Sequence, residues 1–181
     1  GHIRFSYAVN RETIKKGNED LGNKYLDTIK EFSKLIKALS EETNTTIIVR
    51  PHPIDNLKNY DFLKRCSNVK VINKGSISEW IHHAKIVVHS GCTGGLEASV
   101  RGRPTVSFLP FKSSHGHPLC DKFSIKTKNV RQCLNIIKKI DNKDIEVQKP
   151  NLKNFKFRAY NLFSTKPGYK IIADEFVKLT K

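Results

Sequence analysis

The sequence predicts an α/β domain with a doubly wound, mostly parallel sheet, the Rossmann-like arrangement. Two observations carry that prediction. Short β-branched runs alternate along the chain with stretches of helical period, and strands separated by helices of this length imply right-handed crossovers, with helices on both faces of the sheet. The 181 residues, 38% of them hydrophobic, also suit a single core that buries roughly two thirds of the extended-chain surface.

The elements follow in order. Ile3–Val9 reads as a strand and Asn10–Asn23 as a polar loop rich in Lys, Asn and Gly. From Tyr25, the residues Leu26, Ile29, Phe32, Leu35, Ile36 and Leu39 recur at three- and four-residue steps with Lys30, Glu31, Lys34 and Lys37 between them, the pattern of a one-sided helix. Thr45–Val49 is a β-branched strand ending at Arg50-Pro51-His52-Pro53, where the prolines stop the ladder. The alternation continues with helix Leu57–Cys66, strand Val69–Ile72, helix Ser78–His83, strand Lys85–His89, helix Thr93–Arg101 and strand Pro104–Leu109. Beyond a loop holding Ser113-Ser114-His115-Gly116-His117-Pro118, strand Phe123–Lys126 and helix Val130–Ile140 add one more unit. A polar link at Asp141–Asn154 and a last helix, Tyr169–Leu179, complete the pattern.

Gly1-His2 reads as the remnant of a cleaved tag, and the chain contains no Met, so residues 3–181 are expected to be one excised domain. The longest strongly apolar stretches fall far short of the ~20 residues that span a bilayer. Cys66, Cys92, Cys120 and Cys133 lie far apart without a CxxC pair, which argues against a zinc ribbon or disulfide scaffold and suits a reducing cytoplasm.

Charge adds a separate clue. The chain has 33 Lys+Arg against 17 Asp+Glu, for a formal +16, and residues 122–181 hold 15 of the bases and only 5 of the acids. A solvated lysine face accounts for this; otherwise the surface favours anionic lipid headgroups or an anionic acceptor. No basic-aromatic interleaving of the single-strand-binding kind is present, so nucleic acid is not the expected partner.

In open parallel sheets ligands bind beyond the carboxyl ends of the strands. Three segments put unusual residues there. In Val88-His89-Ser90-Gly91-Cys92-Thr93-Gly94-Gly95-Leu96-Glu97-Ala98 a buried strand runs through a small-residue turn into a helix, so backbone amides and the positive helix end can face a phosphate. Gly91, Gly94 and Gly95 would allow close backbone approach, Ser90 and Thr93 would donate hydroxyls or cap the helix, and Glu97, one turn in, would accept ribose hydroxyls. The segment matches neither the Walker loop nor the GxGxxG pattern. An ordinary capped helix with packing glycines is the competing reading.

The second segment, Arg50-Pro51-His52-Pro53, holds an imidazole between prolines just past a strand, where it can donate to a phosphate; a rigid turn is the alternative. In the third, Asn73-Lys74-Gly75-Ser76-Ile77-Ser78-Glu79-Trp80, Ser76 or Ser78 would cap a helix, the backbone at Gly75, Ser76 and Ile77 would read a nucleobase edge, and Trp80 is expected to pack in the core. His82 and His83 fit the end of a helix through its dipole. His115, His117 and Cys92 carry weaker suggestions of chemistry.

These residues resemble a known family. Lys85 to Pro104 is similar to the nucleotide-sugar-binding segment in the C-terminal half of GT-B glycosyltransferases and of the related UDP-sugar 2-epimerases. Arg50-Pro51-His52-Pro53, Ser76-Ile77-Ser78-Glu79-Trp80-Ile81 and His89–Ala98 together resemble bacterial surface-carbohydrate (capsule or lipopolysaccharide) biosynthesis proteins of GT-B type. The resemblance implies a donor domain whose Ser90, Gly91, Cys92 and Thr93 meet the phosphates, whose Glu97 meets the ribose, and whose Gly75–Ile77 backbone lies near the base. Arg50 joins this donor-binding set. His52 matches the His-Pro motif of GT-B enzymes that use cytidine nucleotides, implying a CMP- or CDP-activated donor and a catalytic role at the leaving phosphate. Gly94 departs from relatives with Thr or Ser there.

The resemblance further implies a nucleotide-activated sugar as donor, a glycan or lipid-linked acceptor, no metal and no cofactor, an N-terminal acceptor domain that this chain lacks, and a fragment inactive alone. It places the protein in the cytoplasm, peripherally at the inner membrane. A UDP-sugar 2-epimerase-like enzyme and a non-catalytic module binding nucleotide or anionic membrane are the alternatives.

Overall fold

The computed structural model describes residues 2–6, 19–51, 57–111 and 121–147, all within one compact unit that spans Gly1–Pro150. The expected helix Tyr169–Leu179, together with His52, His115, His117 and Cys120, lies outside the described residues.

Six parallel strands form one sheet: β1 (His2–Ser6), β2 (Thr46–Arg50), β3 (Val69–Val71), β4 (Ala84–His89), β5 (Thr105–Phe108) and β6 (Ile125–Thr127). Their order across the sheet is β3-β2-β1-β4-β5-β6. The chain therefore winds outward from β1 in one direction, returns, and winds outward in the other, the doubly wound topology that opens a crevice beyond the carboxyl ends of β1 and β4. In register, Arg50 of β2 and His89 of β4 both align with Ser6 at the end of β1.

The helices are α1 (Glu19–Glu42), a 3-10 helix (Leu57–Arg65), α2 (Ile77–His83), α3 (Thr93–Val100) and α4 (Val130–Asp141). Alternation along β4 splits the core in two. Ile86 and Val88 join the larger cluster with Phe32, Leu35 and Leu39 of α1 and Cys133 and Ile137 of α4. Val87 faces the other way, onto a small cluster of Ile81, Ala84 and Ala98 under α2 and α3. His89 shares the Val87 face by the same alternation. The rings of Phe32 and Phe108 meet edge to face at 5.0 Å in the larger core.

Two elements differ from the sequence expectation. α1 begins at Glu19, six residues before the apolar stripe, within the segment expected as a polar loop. The segment expected as helix Leu57–Cys66 is a 3-10 helix of 9 residues, whose buried side chains, Tyr60 and Leu63, stand one three-residue turn apart. Among the described residues no helix is long and apolar enough to cross a membrane.

Candidate functional site

Two strand-to-helix junctions line the carboxyl edge. At the first, β3 leads through Gly75, at φ +76°, into α2. Ser76 is the N-cap, and it forms a full capping box: its hydroxyl accepts from the Glu79 amide at 3.3 Å while the Glu79 carboxylate accepts from the Ser76 amide at 3.0 Å. The Arg50 guanidinium reaches across from the end of β2, donating to the carbonyls of Ile72 (3.3 Å), Lys74 and Gly75 (2.9 Å). Burial lowers its pKa from the usual arginine value. Trp80 completes the brace: its indole N–H donates to the Lys74 carbonyl at 2.8 Å, and the Arg50 guanidinium carbon lies 5.8 Å from the Trp80 ring centroid. Trp80, expected in the core, is half-buried outside both core clusters, because its N–H is needed by the loop.

At the second junction β4 leads through Ser90 and Gly91, at φ +62°, into α3. The left-handed value explains the glycine, since a side chain there would be strained. Cys92, rather than Ser90 or Thr93, occupies the N-cap, and its side chain makes no capping hydrogen bond. The cysteine is not disulfide-bonded.

The two glycines that follow have a role the sequence reading divided between ligand approach and packing. Gly94 and Gly95 are both buried. A Cβ on Gly95 would stand 2.3 Å from Nε2 of His89, so the bare backbone is what lets the imidazole fit beneath the helix. His89 is fully buried, and its Nε2 shares a hydrogen bond of 2.7 Å with the Ser124 hydroxyl. Ser124 donates to Thr105 at 3.1 Å, Thr105 and Ser99 share a bond of 2.8 Å, and Ser99 is bonded back to the Gly95 carbonyl at 2.9 Å. Burial pushes the His89 pKa down to about 4 against the opposing charge of Asp121, so the ring is neutral. Its Nδ1 has no hydrogen-bond partner among the described residues.

Glu97 stands one turn into α3. Its Oε1 accepts from the Ser78 hydroxyl of α2 and lies 3.4 Å from Nη2 of Arg101, which also donates to Ser78 at 3.1 Å. This three-residue cross-link joins the helices that begin at the two junctions.

The structure thus gathers Gly75, Ser76 and Ile77 at one junction, Ser90 through Gly95 at the other, and Glu97 on the helix between them and Arg101. Arg50 is on the same edge, with its guanidinium engaged by loop carbonyls. Pro51 is buried at the end of β2, and His52 follows it outside the described residues. Sequence reasoning did not single out His89 or Arg101, and it offered Ser78 only as an alternative helix cap. Of these, His89 left a trace, an imidazole five residues before a Gly-Gly pair. His82 and His83 end α2 exposed, their rings edge to face at 4.9 Å. Among the described residues no three His, Cys, Asp or Glu side chains cluster as metal ligands.

No protein-family model and no curated protein sequence matches this chain. Solved structures do. One of E. coli heptosyltransferase WaaC with ADP superposes with a TM-score of 0.51 at 16% identity, over 80% of this chain and 44% of that one. A glycotransferase of kitacinnamycin gives 0.48 at 10% identity, over 78% of this chain and 34% of the other. Glycosyltransferase SnogD from Streptomyces nogalater gives 0.48 at 12%, over 82% and 40%. The first of these, above 0.5, establishes the fold, a doubly wound α/β domain of the Rossmann-like kind. The chain spans less than half the length of each of these structures.

Proposed function

We propose that the chain is the nucleotide-sugar-binding domain of a GT-B-type glycosyltransferase of cell-surface polysaccharide (capsule or lipopolysaccharide) synthesis, with a CMP- or CDP-activated donor. The observation that carries this reading is the β4–α3 junction, a left-handed glycine followed by a helix start whose N-cap side chain makes no capping hydrogen bond, at the crossover point of the sheet. Departure of the sugar puts negative charge on the nucleotide's phosphate. Amides of Ser90–Gly94 and the positive end of α3 meet that charge, the Gly95 amide being engaged by the Cys92 carbonyl. Glu97 takes the ribose hydroxyls, and the Gly75–Ile77 backbone, braced by Arg50, meets the base. His52 donates to the leaving phosphate. A glycan or lipid-linked acceptor is engaged by the other half of the enzyme, and the basic stretch 122–181 meets an anionic inner-membrane surface. The fold neighbour WaaC, in a structure that holds ADP, supports a nucleoside diphosphate as the ligand class.

Thermal denaturation of the 181-residue chain with CMP, CDP and UDP tests the reading. Saturating CMP or CDP raises Tm, and His52→Ala weakens that ligand about tenfold, the effect of losing one hydrogen bond to a charged group. No shift with any nucleotide contradicts the reading; a shift with UDP alone moves it to the epimerase-like alternative.

A further inference from the structure

The hydrogen bonds beneath α3 have a direction that the side-chain chemistry fixes. A serine or threonine hydroxyl has one proton to give, and a carbonyl oxygen has none. The Ser99 hydroxyl gives its proton to the Gly95 carbonyl at 2.9 Å, so in its 2.8 Å bond with Thr105 it accepts and Thr105 donates. Thr105 in turn accepts from Ser124 at 3.1 Å, and Ser124, its own proton spent there, accepts from His89 Nε2 at 2.7 Å. The contact from Thr105 to the Phe123 carbonyl, at 3.2 Å, is the longest of the set and shares the proton already given to Ser99. One order alone supplies a donor to all four bonds: His89 to Ser124 to Thr105 to Ser99 to Gly95. It puts the imidazole proton on Nε2 and leaves Nδ1 bare, the nitrogen without a partner among the described residues.

The chain ends where it begins. His89 Nε2 lies beneath Gly95, where a Cβ would stand 2.3 Å away, and the last bond returns to the carbonyl of that same residue in the first turn of α3. Ser124 enters this loop from just before β6, level with the start of β5 and away from the carboxyl edge. Building on the nucleotide reading above, we infer that His89 and Ser124 are positioning residues for the β4–α3 turn: the one-way chain locks the imidazole as its Nε2–H tautomer, and the locked ring sets the height of the first turn of α3, and with it where the turn's amides meet phosphate. His89 is fully buried and Ser124 stands at the far end of its strand, so both act through the turn and not by touching the ligand.

Long-range proton–nitrogen correlation spectra of the 181-residue chain at neutral pH read the tautomer without any variant. His89 should show a protonated, pyrrole-type Nε2 and a bare, pyridine-type Nδ1; the reverse pattern, or averaging between the two, overturns the inference. Calorimetric titration with CDP and with cytidine reads the consequence for binding. Ser124→Ala is expected to weaken CDP about fivefold, the scale of one hydrogen bond, and scarcely to change cytidine, which has no phosphate. Ser124→Thr, which keeps the hydroxyl, is expected to restore CDP affinity. A merely structural Ser124 would weaken CDP and cytidine alike; that result, or unchanged CDP affinity in Ser124→Ala, overturns the inference while the nucleotide reading stands. Failure of the wild type to bind CDP overturns both.

Discussion

The β3–α2 junction is capped and braced by its own side chains, whereas the β4–α3 junction, on the same edge beyond β2 and β1, has no side-chain cap. At the first, Ser76 and Glu79 cap the helix and Arg50 and Trp80 occupy the loop carbonyls of Ile72, Lys74 and Gly75. At the second, the Cys92 side chain at the N-cap makes no capping hydrogen bond. This helix is instead held from below, where the His89 ring fills the space that a side chain on Gly95 would need. The difference teaches how a fold can seat a helix start that has no side-chain cap: the anchoring is moved from the cap to the buried face.

That account is most severely tested from beneath. Gly95→Ala forces a Cβ against an imidazole locked in a hydrogen-bonded network, and an overpacking cost of about 3 kcal/mol is expected in urea denaturation. Adding His89→Ala should recover part of the loss, because the obstructing ring is gone. A neutral Gly95→Ala would show that α3 is not seated on His89.

The same anchor gives the second junction a pH dependence. His89 has a folded-state pKa of about 4, below its ordinary 6.5, so the native state resists a proton that the unfolded chain accepts. Its contribution is complete above pH 6.5 and is lost as pH falls from there toward 4. Between pH 7 and pH 5 the loss is about 2 kcal/mol. Stability measured across that range should fall more steeply for the wild type than for His89→Gln; parallel curves would contradict the buried neutral imidazole.

The smallest effect separates the two caps directly. Ser76→Ala removes a bonded cap and should cost about 1 kcal/mol, while Cys92→Ala removes none and should stay within about 0.5 kcal/mol. Equal costs in thermal melts would erase the distinction between the junctions.

Much of the architecture was legible in the sequence because it rests on periodicity. The β-branched run at Thr46–Arg50 and the stripe through Phe32, Leu35, Ile36 and Leu39 announce their burial, and Ser76 with Glu79 three residues on is a readable cap. What was not legible depends on contacts between distant segments. Nothing local tells that Arg50 spends its guanidinium on carbonyls more than twenty residues away, or that Trp80 is held by the Lys74 carbonyl and not by the core. The dual meaning of Gly95 is of the same kind: a glycine in a small-residue turn suggests ligand approach, and only the packing of β4 under α3 reveals the ring it makes room for. Likewise the Ser78–Glu97 pairing spans two helices whose relative placement no pattern in either one encodes.

The central claim, that the β4–α3 junction receives the phosphates of a nucleotide, is tested most directly by backbone amide chemical shifts in the 181-residue chain titrated with CDP and, separately, with cytidine. The amides of Ser90, Gly91, Cys92, Thr93, Gly94 and Gly95 should move with CDP and scarcely at all with the phosphate-free nucleoside. Identical responses to the two ligands, or CDP-induced shifts confined to other parts of the chain, would contradict it.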